Sequence, residues 1–128
     1  MLLNKRPLIL RGMVLQLFAC IAFLLTPFAQ ADEDYLAPEI AFQFSAKMRD
    51  AKTIEVTYKI AEGYYMYRER FRFHAEGAKL GEPQLPAGKV KFDDTFQKNV
   101  ETYRKTLSIA VPVDAQGSFT LIVTSQGC

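Results

Sequence analysis

The clearest periodic run in the chain is Thr53-Ile54-Glu55-Val56-Thr57-Tyr58-Lys59-Ile60, in which polar and apolar side chains alternate without a break. Successive side chains of a β-strand point to opposite sides, so every second residue from Ile54 to Ile60 would share one apolar face. A strand with one apolar and one polar face is typical of an antiparallel sheet that is buried on one side only. The run therefore predicts a strand of an antiparallel sheet.

Shorter runs of the same kind flank this strand, and no amphipathic helix of useful length interrupts them. About seven short strands at a spacing of roughly 8–12 residues predict an all-β, immunoglobulin-like antiparallel β-sandwich. The Cys–Trp–Cys core signature of antibody domains is absent, because the chain has no Trp. Residues 47–52 are expected to form a polar turn and 93–99 a loop. The other predicted strands are 40–44, 70–74, 84–86, 89–92, 107–113 and 119–124.

The first 31 residues have the pattern of a secretory signal peptide. A basic start is followed by an apolar run over 13–25 and by the small-x-small cleavage pattern Ala29-Gln30-Ala31. The apolar run is short for a membrane span. We therefore expect a signal peptide at 1–31, a mature domain at 32–128 that begins with Asp32, and a periplasmic location. Lipoprotein processing at Cys20 is a less favoured alternative, because bulky Phe18 fits a lipobox poorly.

The mature part is nearly neutral. The leader contains three of the sixteen basic residues and no acidic one, which leaves thirteen basic against fourteen acidic residues in 32–128. This balance gives no argument for a nucleic-acid surface. A metal site would need more ligands than His74 and Cys128 offer, so we expect neither a metal nor a cofactor and interpret His74 as a surface residue.

The mature part keeps one cysteine, Cys128, which follows the predicted strand 119–124. Gly127 is expected to let the backbone turn there, so that the thiol lies accessible at a strand end. A single cysteine in an oxidising compartment predicts an intermolecular disulfide or a reactive thiol. The alternative is that Cys128 is a small buried apolar residue, as free cysteines often are.

Several motifs in this order resemble one known family. The chain is similar to the amino-terminal periplasmic domain of the thiol:disulfide interchange protein DsbD over essentially all of residues 35–128. The resemblance implies an immunoglobulin-like fold and a role in a transmembrane electron relay. The motifs that carry the resemblance are Gly63-Tyr64-Tyr65-Met66-Tyr67-Arg68, Gln84-Leu85-Pro86, Glu101-Thr102-Tyr103-Arg104 and Gln126-Gly127-Cys128.

The resemblance also implies roles for individual residues. Cys128 matches the first cysteine of the family's redox pair, and Tyr65 and Tyr67 match aromatic residues that line the redox site. Phe96 matches the phenylalanine of a cap loop that shields the disulfide until a partner displaces it. Asp94 matches one of two acidic residues thought to adjust the cysteine chemistry.

Partners follow from the family as well. The resemblance implies that the domain accepts reducing equivalents from a thioredoxin-like domain of its own membrane-embedded full-length protein. It would pass them to periplasmic thioredoxin-fold proteins, namely disulfide isomerases and a protein of cytochrome c maturation.

The sequence departs from the family in two respects. The second acidic position is Thr95, and Gln97 and Lys98 follow the cap aromatic where relatives have Tyr and Gly. The family's second cysteine and closing strand lie beyond Cys128, so we expect a sandwich that lacks its closing strand, in a fragment or an early-terminated chain. The full-length family is a protein-disulfide reductase, whereas Cys128 alone could form a mixed disulfide and not resolve it.

Two other function classes stay open at this stage. One is a secreted β-sandwich binding or chaperone module in which Cys128 is incidental. The other, which depends on lipidation at Cys20, is a lipid-anchored structural protein.

Overall fold

The structure is a computed structural model that describes residues 34–128; the predicted signal peptide, its cleavage site and Cys20 lie outside the described residues. Between Tyr35 and Cys128 the chain forms one compact unit of antiparallel strands. The elements are the short helix α1 (Pro38–Ala41), β1 (Phe42–Asp50), β2 (Thr53–Ile60), β3 (Met66–Tyr67), a 3-10 turn (Arg68–Arg70), β4 (Arg72–Glu76), β5 (Lys79–Leu80), β6 (Lys89–Asp93), β7 (Lys98–Tyr103), β8 (Thr106–Asp114) and β9 (Thr120–Thr124).

The largest sheet has the strand order β1-β2-β8-β5, and its two central strands supply most of the core. β2 alternates buried and less buried residues as its sequence predicts, and β8 does the same. Val56 and Ile109 lie opposite each other in the antiparallel register, and both are fully buried. Since buried cross-strand pairs of β-branched residues stabilise a sheet, this pair fixes which faces of β2 and β8 point inward.

The remaining strands form a three-stranded sheet, β3-β7-β6, and the two-stranded pair β4-β9. Met66, Phe71 and Tyr103 from this part of the chain belong to the same buried cluster as the apolar residues of β2 and β8. Leu121 and Val123 of β9 are half-buried against that cluster. The predicted all-β, immunoglobulin-like antiparallel sandwich is therefore confirmed.

The beginning of the domain differs from the sequence prediction. Ile40 and Ala41 belong to helix α1 and not to a strand, and β1 continues to Asp50 through the predicted polar turn. Only Ala51 and Lys52 form the turn, in which the Asp50 carboxylate accepts a hydrogen bond from the Lys52 amide at 2.9 Å. Because β1 is an edge strand whose residues beyond Phe42 are exposed, polar side chains are tolerated along it, and they conceal the strand in the sequence.

The predicted loop at 93–99 is present but shorter than expected. β6 and β7 form a hairpin in which Phe92 pairs with Asn99 and Asp93 with Lys98, so the loop itself is only 94–97. Polar residues occupy much of β7, so its sequence has no apolar alternation that would reveal a strand. The strand is nevertheless central, because it pairs with β3 on one edge and with β6 on the other. This hairpin brings the turn 94–97, which we call the cap loop after the family resemblance, close to Tyr67 of β3.

Arg68 joins three of the sequence motifs into one polar cluster. Its guanidinium donates hydrogen bonds to the carbonyl oxygen of Pro86 at 2.7 Å and to the hydroxyl oxygen of Tyr103 at 3.0 Å. It also forms an ion pair with Glu101 at 3.0 Å, while the Tyr103 hydroxyl donates to the same Pro86 carbonyl at 2.7 Å. These motif residues therefore hold β3, β7 and the 84–86 segment together.

Candidate functional site

The last three residues of the chain return to β3. The amide of Tyr65 donates to the carbonyl of Cys128 at 2.9 Å, and the amide of Cys128 donates to the carbonyl of Tyr65 at 2.8 Å. A third bond runs from the Tyr67 amide to the carbonyl of Gln126 at 3.0 Å. In an antiparallel hydrogen-bonded pair the two side chains lie on the same side of the ladder, so the thiol of Cys128 is placed beside Tyr65.

Gly127 permits this pairing because it has no side chain, and not because its backbone adopts a turn conformation. It forms a bridge with Met66 and is absent from the left-handed glycines of the described residues, which are Gly63 and Gly77. A Cβ atom at Gly127 would collide with the ring of Phe42 and lie 2.8 Å from the carbonyl oxygen of Tyr65. The predicted turn at Gly127 is therefore wrong, and the glycine is required by the close approach of three chain segments.

An aromatic row extends from the thiol to the cap loop. The rings of Tyr65 and Tyr67 meet edge to face with centroids 5.3 Å apart, and the rings of Tyr67 and Phe96 do so at 5.5 Å. Such edge-to-face pairs contribute about 0.5–1.5 kcal/mol each beyond their buried area. We call Tyr65, Tyr67 and Phe96 the aromatic row; it begins beside Cys128 and ends at the cap loop.

The carboxylate of Asp93 holds the cap loop in place through hydrogen bonds. One carboxylate oxygen accepts the amides of Thr95 and Phe96 at 2.9 and 3.0 Å, and the other accepts the hydroxyl of Tyr67 at 2.9 Å. The residue is buried, and the hydrogen bond from the Phe96 amide is the main cause that holds the pKa of its carboxyl group below the ordinary value, against an opposing effect of burial. Gln97, with a left-handed φ of 53°, completes the turn.

Tyr67 is the donor that Asp93 needs. Its ring is buried, and burial is the main cause that raises the pKa of the hydroxyl group well above its ordinary value. The hydroxyl therefore stays protonated at physiological pH and donates to the Asp93 carboxylate. The same oxygen also lies 3.3 Å from the hydroxyl of Tyr65. A hydrogen-bonded path thus connects the cap loop to the tyrosine beside the thiol.

The structure brings together four of the five residues that the sequence predicted for the site, namely Cys128, Tyr65, Tyr67 and Phe96. Asp94 lies at the exposed start of the turn, where its carbonyl oxygen accepts a hydrogen bond from the Gln97 side chain at 2.6 Å. Sequence reasoning missed Asp93 as the carboxylate that contacts the row. An aspartate that precedes a turn and can accept the amides two and three residues ahead was the available signal.

Three cations that the sequence analysis also missed lie against the aromatic row. The Lys91 ammonium is 3.5 Å from the centroid of the Tyr65 ring, and the Arg104 guanidinium carbon is 4.9 Å from the same centroid. Arg70 lies 5.1 Å from the centroid of the Phe96 ring. Cations over aromatic faces are held by the ring quadrupole, so these side chains are positioned and not simply solvated.

The chemistry that this arrangement supports is that of a thiol. Cys128 is exposed, and an accessible thiol can act as a nucleophile in its thiolate form. Within residues 34–128, no three His, Cys, Asp or Glu side chains are grouped so as to bind a metal ion. No helix of this described part is both long and apolar enough to cross a membrane.

Comparison with known proteins identifies the family. The family model described as thiol:disulfide interchange protein DsbD, N-terminal, matches residues 32–128. This chain belongs to the DsbD N-terminal domain family. It is 50% identical to the thiol:disulfide interchange protein DsbD of Ralstonia nicotianae over 129 residues, which cover 98% of this chain and 21% of that protein. It is 37% identical to DsbD of Escherichia coli K12 over 102 residues, which cover 79% of this chain and 16% of that protein.

Solved DsbD N-terminal domains have the same architecture. The reduced form of the Neisseria meningitidis domain matches with a TM-score of 0.66 and 33% identity, over 74% of this chain and 77% of the other. The DsbD N-terminal domain in a complex with the PilB N-terminal domain, also from Neisseria meningitidis, matches with a TM-score of 0.62 and 32% identity, over 73% and 74%. The match spans about a fifth of the length of the Ralstonia DsbD and 16% of the Escherichia coli DsbD.

The contact of Asp93 with the cap loop predicts a specific pH dependence. Because the pKa of this carboxyl group is lowered on folding, its stabilising effect is present above the ordinary aspartate pKa of about 4 and is lost as the pH falls through the lower folded value. Asp93→Asn should therefore be less stable than the parent at pH 7, and the difference should shrink below pH ~4. Urea unfolding at a series of pH values measures it. Asp94→Asn is the matched control, and an equal effect of the two substitutions, or a pH-independent difference for Asp93→Asn, would contradict the assignment.

Proposed function

We propose that this chain is a periplasmic thiol–disulfide interchange domain and that Cys128 is its reactive residue. The observation that carries the proposal is the pairing of Cys128 with Tyr65, which holds an exposed thiol at the end of the aromatic row. Membership of the DsbD N-terminal family supports it. The signal-peptide pattern of residues 1–31 supports export, with the mature protein starting at Asp32.

The reaction is disulfide exchange. The Cys128 thiolate attacks one sulfur of the partner's disulfide, a new sulfur–sulfur bond forms, and the partner's second sulfur leaves as a thiolate with the electron pair of the broken bond. A second thiol must then attack the mixed disulfide to release the reduced partner. Cys128 is the single cysteine of residues 34–128, so this part of the chain carries out the first step.

The partners that fit this chemistry are thioredoxin-fold proteins. A Neisseria meningitidis relative has been solved in complex with the PilB N-terminal domain, which supports a docking mode of this kind for the present chain. We propose that the domain belongs to a longer, membrane-anchored protein and receives reducing equivalents from that protein's thioredoxin-like domain. Disulfide isomerases and a protein of cytochrome c maturation would accept them.

Formation of a mixed disulfide tests the proposal. The probe is a thioredoxin-fold protein with one remaining active-site cysteine, activated as its thionitrobenzoate disulfide. Folded Cys20→Ser chain should release thionitrobenzoate and form a covalent adduct that reductant cleaves, because the exposed Cys128 thiolate attacks the protein sulfur. Adduct mass and absorbance measure the yield, and a further Cys128→Ser substitution should abolish both. A binding module with an incidental cysteine would bind its partner equally well with Cys128 blocked, and its thiol would form the adduct no faster than a small free thiol at the same concentration.

We further propose that Phe96 restricts access to Cys128 as a cap. Its half-buried ring rests on Tyr67, the second member of the row that starts beside the thiol, and its loop is held mainly by the short Asp93 turn. Few contacts and a turn of four residues allow such a loop to move without unfolding the sheets. Movement of the Phe96 ring toward or away from the two tyrosine rings would change access to Cys128.

Removal of the Phe96 ring should speed alkylation of Cys128 several-fold in folded protein. Iodoacetamide labelling and the free energy of unfolding are measured on the same samples of Phe96→Ala. Phe92→Ala is the matched control, because Phe92 is an exposed aromatic residue in the neighbouring strand β6. Faster labelling with unchanged stability fits a cap. Labelling that rises only in proportion to lost stability would show that Phe96 merely anchors its loop.

A further inference from the structure

Tyr65 contacts two cations through its ring and pairs with Cys128, the residue that bears the thiol, through its backbone. Lys91 comes from β6, and Arg104 directly follows β7. Their charged groups lie 3.5 Å and 4.9 Å from the centroid of the Tyr65 ring, while Tyr65 itself pairs with Cys128 through two backbone hydrogen bonds. We call Lys91 and Arg104 the cationic rim. Two separate elements thus converge with positive charge on the residue that flanks the thiol.

The positive charge continues into a neighbouring groove. Arg104 also lines an open groove with a volume of about 600 Å³, to which Lys59 and Lys105 contribute two more cations and Glu62 one anion. The backbone here is held in place, since the Lys105 carbonyl accepts the Ile60 amide at 2.7 Å. The groove is large enough for side chains of a docked polypeptide segment, and three of its four charged residues are positive.

Most nearby carboxylates are already occupied. Asp93 is buried and accepts three hydrogen bonds, Glu69 pairs with Lys98 at 3.0 Å, and Glu101 pairs with Arg68 at 3.0 Å. Among residues 34–128, neither Lys91 nor Arg104 has a carboxylate within ion-pair distance. Asp93 keeps its negative charge, which acts on Lys91, and Glu62 and the exposed Asp94 are further acidic groups that oppose the rim. The two charged groups that lie on the Tyr65 ring itself are both positive.

We propose that the cationic rim selects partners whose exchanging disulfide is flanked by acidic residues. This inference rests on the proposed function, because it concerns the disulfides that Cys128 attacks. Positive potential at the approach to a site raises the rate of encounter with a negatively charged partner and lowers it for a positively charged one. Lys91 and Arg104 are thus specificity-determining residues for the interchange reaction, and an acidic partner segment would lie along the groove.

Three short peptides that differ only in charge test the proposal directly. Each contains one cysteine activated as its 2-pyridyl disulfide, flanked by two glutamates, two serines or two lysines on either side. The Cys128 thiolate displaces 2-thiopyridone, which leaves with the electron pair of the broken sulfur–sulfur bond, while the peptide sulfur bonds to Cys128. Absorbance of the released thione gives the rate with the full-length Cys20→Ser chain. Division by the rate with 2-mercaptoethanol, a neutral thiol, removes the intrinsic reactivity of each peptide.

The acidic peptide should react about 10-fold faster than the basic one at low ionic strength, the lower end of the effect of electrostatic steering. The serine peptide should lie between them. In about 1 M salt, where the screening length falls to about 3 Å, the preference should largely disappear. The double variant Lys91→Gln, Arg104→Gln should lose the preference at low salt as well.

Two further variants separate local charge from net charge and from folding. Lys52→Gln, Lys79→Gln removes the same charge from exposed lysines at the far end of β8 and should keep the preference. There the Lys52 carbonyl accepts the Val113 amide, and Lys79 lies opposite Asp114 in the strand register. Lys91→Arg, Arg104→Lys keeps the rim charge and should keep the preference too. Equal normalised rates for the three peptides, or a preference that survives in the glutamine double variant of the rim, would overturn the inference. If no peptide reacts with the folded chain, the proposed function itself fails, and the inference with it.

Discussion

Two backbone hydrogen bonds between Tyr65 and Cys128 are the interaction on which the site depends. Strand β9 pairs with β4 only as far as Thr124, and the chain then changes partner and pairs with the start of β3. This change of partner carries the thiol from the two-stranded pair β4-β9 to the edge of the three-stranded sheet β3-β7-β6. Without it, Cys128 would follow an edge strand with no defined neighbours, and a thiol without a fixed environment has no selectivity.

Tyr65 is the point at which the different parts of the site meet. Its backbone holds the thiol, its ring contacts Tyr67, and its ring face holds Lys91 and Arg104. Tyr67 then connects to the cap loop through Phe96 and through the carboxylate of Asp93. Under the proposals above, Tyr65 links the two controls on the thiol: access, through the aromatic row, and choice of partner, through charge.

The sequence predicted the fold class because β2 and β8 show their buried faces as strict alternation. The prediction failed for β1 and β7, because neither strand has an apolar alternation. β1 is an exposed edge strand, and β7 is held by pairing on both sides.

The site residues Cys128, Tyr65, Tyr67 and Phe96 were predicted from motifs. Lys91 and Arg104 could not be found in this way, since their roles depend on the β6–β7 hairpin register and on the return of the tail, which no local pattern encodes. For Asp93 the sequence offers a signal for the turn, whereas its contact with Tyr67 depends on the fold.

The pairing of Cys128 with Tyr65 can be tested most directly at Gly127, because a single methyl group there would meet Phe42 and the carbonyl of Tyr65. Over-packing of this kind costs about 1–3 kcal/mol, enough to release a short terminal pairing while the sheets remain folded. The most direct measurement is amide hydrogen exchange in Gly127→Ala. The account predicts loss of protection at Tyr65 and Cys128 with protection kept at Ile109, and no loss in Gly117→Ala, where a methyl group meets nothing within 4 Å. Unchanged protection at Tyr65 and Cys128 in Gly127→Ala would contradict the account.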